Sequence, residues 1–177
     1  MVRQTVIALW LIPAEPAHSF FEGIISNFAR RYCAPIFEPH VTLHVGADSA
    51  ELAETALDCV AREPMRLKPV GVSQSEEFIK TLFVQFALDA KLRHLREMIR
   101  QAAHDPLHYQ LKPHLSLLYK KMPVATRREL VGSITVPFSD IRFDALQAIR
   151  CVSPTQTAAD VEAWQFVAGR RLTHQPS

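Results

Sequence analysis

The sequence predicts an α+β fold. Two similar βαβαβ lobes carry antiparallel sheets that face a central cleft, with helices outside. Three observations carry this reading. A pentapeptide of one type occurs twice, as Pro39-His40-Val41-Thr42-Leu43 and as Pro113-His114-Leu115-Ser116-Leu117. Each copy follows a strand-like run and then a helical pattern. The distance along the chain from Thr5 to His40 nearly matches that from Thr81 to His114. Matching order and offset mark an internal duplication. The chain, 1–177, is read as a single bilobal domain, lobe 1 over about 1–75 and lobe 2 over about 76–177.

In chain order, Val6 to Ile12 is an apolar run closed by Pro13, suited to a strand covered on both faces. With Arg3 before it and Pro13-Ala14-Glu15-Pro16-Ala17 after, it imitates a short signal peptide. A buried first strand is the better reading, because the duplication uses these residues as one. Phe21, Ile24, Ile25, Phe28 and Tyr32 then recur at helical steps up to Pro35. After the His40 strand, which closes at Gly46, Asp48 or Ser49 can cap a helix with the stripe Leu52, Ala56, Leu57 and Val60. Met65 to Val72 reads as a third strand, with Pro69 and Gly71 suggesting an edge or a bulge.

The second half repeats the order. Thr81 to Leu88 alternates with strong β-formers. Asp89 caps a helix whose Leu92, Leu95, Ile99 and Ala102 share a face, and Asp105-Pro106 stops it. The His114 strand follows, then a shorter helix over about Val124 to Val131. Strands near Ile141 to Arg150 and Val161 to Ala168 close the chain, separated by the turn-rich Ser153 to Asp160.

The totals exclude several classes. At 177 residues, 48% hydrophobic and 21% charged, the chain is of ordinary globular composition. A net charge of +2 with only short basic pairs does not suit a protein that coats a polyanion, so a small anionic substrate fits better. Cys33, Cys59 and Cys151 lie far apart, which argues against a zinc knuckle, a redox pair or a disulfide scaffold, and for a reducing, cytoplasmic location. No stretch reaches the ~18 apolar residues of a membrane span.

Extended backbone sends alternate side chains to opposite faces. His40 and Thr42 therefore point one way while Val41 and Leu43 point the other, and the second copy does the same. Imidazole and hydroxyl stand about 7 Å apart along each strand, close enough for both to reach one phosphate. Two such strands side by side set two histidines and two hydroxyls around one cavity. Histidine titrates near neutrality, at about 6.5 unperturbed. In phosphodiester hydrolysis one neutral imidazole takes a proton from water while a protonated one gives a proton to the leaving oxygen. Thr42 and Ser116 would hold the non-bridging oxygens. No metal or cofactor is needed for that division of labour.

A lone histidine in a strand is more often a buried structural residue; the repetition at matching places is what favours chemistry. The competing metal reading draws on His40, His44 and His114. His40 and His44 share a strand face on strict alternation but stand about 13 Å apart. His104 and His108 have helical ligand spacing, which Pro106 spoils. His18, His94 and His174 read as surface residues. Tyr119 falls on the face opposite His114 and reaches the cleft only if the strand twists or ends near Leu118. Trp10 is either core or a stacking surface for a base.

The two H-x-[ST]-hydrophobic motifs, His40-Val41-Thr42-Leu43 and His114-Leu115-Ser116-Leu117, resemble the signature of the two-histidine (2H) phosphoesterase superfamily. More narrowly, the chain is similar to its small cyclic phosphodiesterases, which act on ADP-ribose 1″,2″-cyclic phosphate and nucleoside 2′,3′-cyclic phosphates. It is related as well to the RNA 2′,5′-ligase/cyclic phosphodiesterases. The likeness extends to Trp10-x-x-Pro13 at the start, to Leu118-Tyr119 after the second motif and to Glu162-x-Trp164 near the end.

This resemblance implies a phosphoric diester hydrolase that works without metal. It would open nucleoside 2′,3′-cyclic phosphates to 2′-phosphates and ADP-ribose 1″,2″-cyclic phosphate to ADP-ribose 1″-phosphate. His40 and His114 would be catalytic, Thr42 and Ser116 would bind phosphate, and Tyr119 and Trp10 would border the substrate. The expected partner is a small nucleotide or ADP-ribose cyclic phosphate, with RNA ends or a non-catalytic nucleotide-binding module as alternatives. A monomer without membrane attachment is expected. The segment Gln74 to Lys80 departs from that branch, since Glu76-Glu77 puts negative charge where a phosphate would approach.

Overall fold

The computed structural model describes residues 2–104 and 111–173. The element order is β1 (Gln4–Pro13), α1 (Ala17–Tyr32), β2 (Val41–Ala47), α2 (Ala50–Asp58), β3 (Met65–Leu67) and β4 (Pro69–Gln74). A 3₁₀ turn (Phe78–Lys80) leads into β5 (Leu82–Phe86) and α3 (Ala90–Ala102). There follow β6 (His114–Leu118), α4 (Val124–Ser133), β7 (Ile141–Ser153), α5 (Ala158–Glu162) and β8 (Gln165–Arg171). His108, Pro106 and His174 lie outside the described residues. No described helix is long and apolar enough to cross a membrane.

The strands join in one eight-stranded antiparallel sheet, ordered β3-β7-β1-β2-β6-β5-β4, with β8 on β7. Its two wings meet between the His-strands, where Val41 pairs with Leu115. β1 is the centre of one wing, flanked by β2 and β7, and β5 is the centre of the other, flanked by β6 and β4. Strands are exchanged between the halves of the chain: β7 and β8 of the first wing come from the second half, β4 of the other wing from the first. The stretch Met65 to Val72, expected as one strand, is accordingly two. β3 pairs with β7, the chain crosses at Lys68, and β4 pairs with β5 through a register shift between Pro69 and Gly71.

The helices cross over in the same way. α1 packs chiefly on β6, and α3 packs on α2 and β2. α1 buries Phe21, Ile25 and Phe28, and ends where Cys33 turns left-handed. Ser49 caps α2 and Asp89 caps α3, each accepting from the amide three residues on. Ile7, Leu9 and Leu11 of β1, Val41 and Leu43 of β2, and Leu115 and Leu117 of β6 point into the main core under the helices.

One element differs in type. Val161 to Ala163, expected to begin a strand, finishes α5, because Thr157 and Asp160 form a reciprocal capping box that starts a helix before the strand can begin.

Candidate active site

The opposite face of the sheet carries the cleft. With Val41, Leu43, Leu115 and Leu117 committed to the core, alternation turns His40, Thr42, His114 and Ser116 the other way, and all four line one hollow of about 640 Å³. The two wings therefore bring both motifs to a single cavity. The positive charge of His114 disfavours charge on His40.

Both rings are oriented by the same device. His40 donates its Nδ1 proton to the carbonyl of Glu38 at 2.6 Å, and His114 donates its Nδ1 proton to the carbonyl of Lys112 at 2.9 Å. In each case the acceptor lies two residues earlier, across the proline of the motif, and Nε2 is the nitrogen left for chemistry. The Glu38 carboxylate is held in turn by Nε2 of His18 at 2.7 Å.

The environments differ. His40 is 6% exposed and stacked under Trp10, and burial pushes its pKa down to about 3, against a smaller opposing pull from the Glu38 carbonyl. His114 is half-buried, and burial lowers it too. The Lys112 carbonyl works against that shift, Lys80 adds to it, and Glu77 opposes it. Glu77 and Lys80 both line the cleft.

Ser116 donates its hydroxyl to the carbonyl of Ile79 at 2.8 Å. Tyr119 follows the last residue of β6, which frees it from strand parity: it is buried, lines the cleft and stacks on Phe37 with centroids 3.8 Å apart. Burial raises its phenol well above the ordinary range. Trp10 also lines the cleft, but one face of its ring is taken by His40 and Trp164 meets it edge-on at 5.0 Å.

His44 is not on the His40 face. A bulge between the pairs Leu9–His44 and Trp10–Thr42 shifts the alternation by one residue. His44 consequently lies with Ile7, Leu9 and Gly46 on the helix-covered side, and Val45 faces the cleft instead. The grouping of His40, His44 and His114 is thereby undone. Among the described residues no three His, Cys, Asp or Glu side chains converge in a way that could hold a metal ion.

Sequence reasoning missed Lys80, Lys112 and Cys151 as cleft residues, whereas Glu77, which it marked as negative charge where a phosphate would approach, does line the cleft. Lys112 had a usable signal, for it holds in its half the place that Glu38 holds in the other, two before the histidine. Lys80 had none, because its placement depends on the 3₁₀ turn.

Two histidines and two hydroxyl residues around one hollow are the arrangement expected from the twin motifs. Residues 5–172 match the family described as cyclic phosphodiesterase-like protein. The chain belongs to that family, within the 2H phosphoesterase superfamily, and is a phosphodiesterase. It is 23% identical to the cyclic phosphodiesterase of Arabidopsis thaliana over 94% of this chain and 95% of that one. Among solved structures it is similar to E. coli LigT complexed with 3′-AMP, with a TM-score of 0.56 at 15% identity over 96% of this chain and 99% of LigT. TT0787 of Thermus thermophilus gives 0.58 at 15% identity, over 94% and 97%. At such identities these two likenesses speak for the fold.

Proposed function

We propose that the protein hydrolyses small cyclic phosphodiesters without a metal ion, with His40 as general base and His114 as general acid. The observation that carries this is the pair of matched Nδ1–carbonyl bonds, which leave two Nε2 atoms for one cleft. His40, held neutral by burial, has a free lone pair on Nε2 and takes a proton from the attacking water. The water oxygen bonds to phosphorus, the P–O3′ bond breaks, and O3′ takes a proton from Nε2 of His114. The phosphate stays on O2′. Burial and Lys80 disfavour the protonated form of His114 that this step needs, the Lys112 carbonyl and Glu77 oppose them, and the substrate's own negative charge favours that form on binding.

Thr42 and Ser116 flank the phosphate, and Tyr119 borders it. Because the ring faces of Trp10 and Tyr119 are largely covered, a nucleobase would rest on the rim formed by Val45, Ile79 and Trp164, with Lys80 and Lys112 near further phosphates. The substrates proposed are nucleoside 2′,3′-cyclic phosphates, giving 2′-phosphates, and ADP-ribose 1″,2″-cyclic phosphate, giving ADP-ribose 1″-phosphate. That E. coli LigT has been crystallised with 3′-AMP, ATP and NADP+ supports a small nucleotide as ligand.

The test is turnover of both substrates, and of an oligonucleotide ending in a 2′,3′-cyclic phosphate, by wild type, His40→Ala and His114→Ala in EDTA. Each variant should lose about 10²- to 10⁴-fold in kcat. Unchanged turnover in either would end the assignment, full loss of wild-type activity in EDTA would end the metal-free mechanism, and activity confined to the oligonucleotide would move the substrate to RNA ends.

A further inference from the structure

Arg127 is a charged side chain buried without an adequate partner. It lies on the inner face of α4 beside Leu130 and is 4% exposed. Among the described residues its Nε proton has no acceptor. The carboxylate facing it, Glu76 Oε1, stands 3.8 Å from Nη2, beyond hydrogen-bond length, and the Glu76 side chain is 93% exposed. A guanidinium taken out of water is costly unless an anion completes it.

The hollow that Arg127 shares with Glu76 has a volume of about 450 Å³ and is lined also by Ser75, Lys120, Lys121 and Val124. Lys120 spends one donor on the carbonyl of Cys33 at 3.4 Å. Val124 begins α4, and Pro123 before it supplies no side-chain cap, so the amides of the first turn are open. Three cations and an uncapped helix start thus meet one solvent-exposed carboxylate. We propose that this hollow binds a terminal phosphate group, as orthophosphate or a phosphomonoester, which displaces Glu76 and completes Arg127.

The site is separate from the cleft and does not depend on the reaction proposed above. The two share a wall, the turn from Ser75 to Thr81. Ser75 and Glu76 face the hollow, while Glu77, Ile79 and Lys80 face the cleft. That turn is stitched together by Ser75 Oγ donating to Lys80 and Thr81 Oγ1 donating to Lys120, and it supplies the Ile79 carbonyl that takes the Ser116 proton. Occupancy of the hollow therefore acts on the same turn that orients Ser116.

The experiment is a titration of the full chain, followed through backbone amide resonances, with orthophosphate and separately with adenosine 2′-monophosphate. Resonances of Val124 to Arg127 should move in the millimolar range with at least one probe. Lys121→Ala should weaken that response by about two- to fivefold, and Glu76→Ala should strengthen it by a similar factor. Both substitutions are at exposed positions, so unchanged far-UV circular dichroism is expected. A response to orthophosphate alone assigns the site to free phosphate, and a response to the nucleotide as well assigns it to phosphomonoesters. No movement at the start of α4 with either probe, or movement unaltered by both substitutions, overturns the proposal.

Discussion

Trp10 lies flat on His40, with ring centroids 3.6 Å apart and planes 10° from parallel, whereas Phe83 turns its edge to His114 at 5.5 Å and 71°. Trp10 pairs across the ladder with Thr42, and Phe83 pairs with Ser116. The two aromatics thus hold the same place in the two halves and do different things: one seals its histidine, the other leaves it half open. The structural asymmetry of the site begins there.

Stability should depend on pH through His40. Folded, its pKa is pushed down to about 3, while unfolded it returns to an ordinary imidazole near 6.5. Between those values the unfolded chain binds the extra proton. This contribution is therefore fully present above about pH 6.5 and is lost as pH falls toward 3, by up to about 1.4 kcal/mol per pH unit. Urea unfolding at pH 7, 6 and 5 should show a shallower dependence in His40→Gln than in wild type. Equal slopes would contradict the burial.

The charges beside His114 should move its titration in opposite directions. Glu77 raises its pKa and Lys80 lowers it. If His114 must carry a proton, kcat/KM falls as pH rises through its pKa. Glu77→Gln should shift that alkaline limb to lower pH, and Lys80→Met should shift it to higher pH. Shifts of the same sign in the pH profiles would assign the limb to another group.

Removing the lid over His40 should be felt twice. Trp10 is 3% exposed, so Trp10→Ala should cost about 3–5 kcal/mol in chemical denaturation. It also opens the imidazole to water, which should bring the His40 pKa back up toward the ordinary value. Titration of the ring resonances of His40 by NMR reads the second effect independently of the first.

His44 should be dispensable to turnover. It sits beside Gly46 on the helix-covered side, where a Cβ on that glycine would stand 2.7 Å from its Nε2. His44→Gln should keep kcat and KM near wild type in the assay of cyclic nucleotides, with a modest loss of stability. A large fall in kcat would restore His44 to the site.

What could be read from the sequence was the part fixed by local periodicity. The twin motifs, the inward leucines, the stripe of α1 and the caps Ser49 and Asp89 each follow from a few neighbouring residues. The rest depends on partners distant in the chain. Lys68 carries no mark that the chain changes wings there. Nothing in Val41 to Val45 announces a bulge, since the ladder with β1 decides it. Parity alone puts Tyr119 on the wrong face, because it does not know where the strand ends, and the covering of Trp10 and Tyr119 by His40 and Phe37 required coordinates.

The exchange of strands between the wings, together with the crossing of α1 onto β6 and α3 onto β2, has a mechanical corollary. A backbone cut in the connection between β4 and β5 would leave neither fragment with a complete layer, since each would lack the strand and the helix that the other lends it. Such fragments should remain unstructured apart and recover helicity only when mixed. The symmetry written in the motifs is therefore one that the polypeptide can no longer take apart.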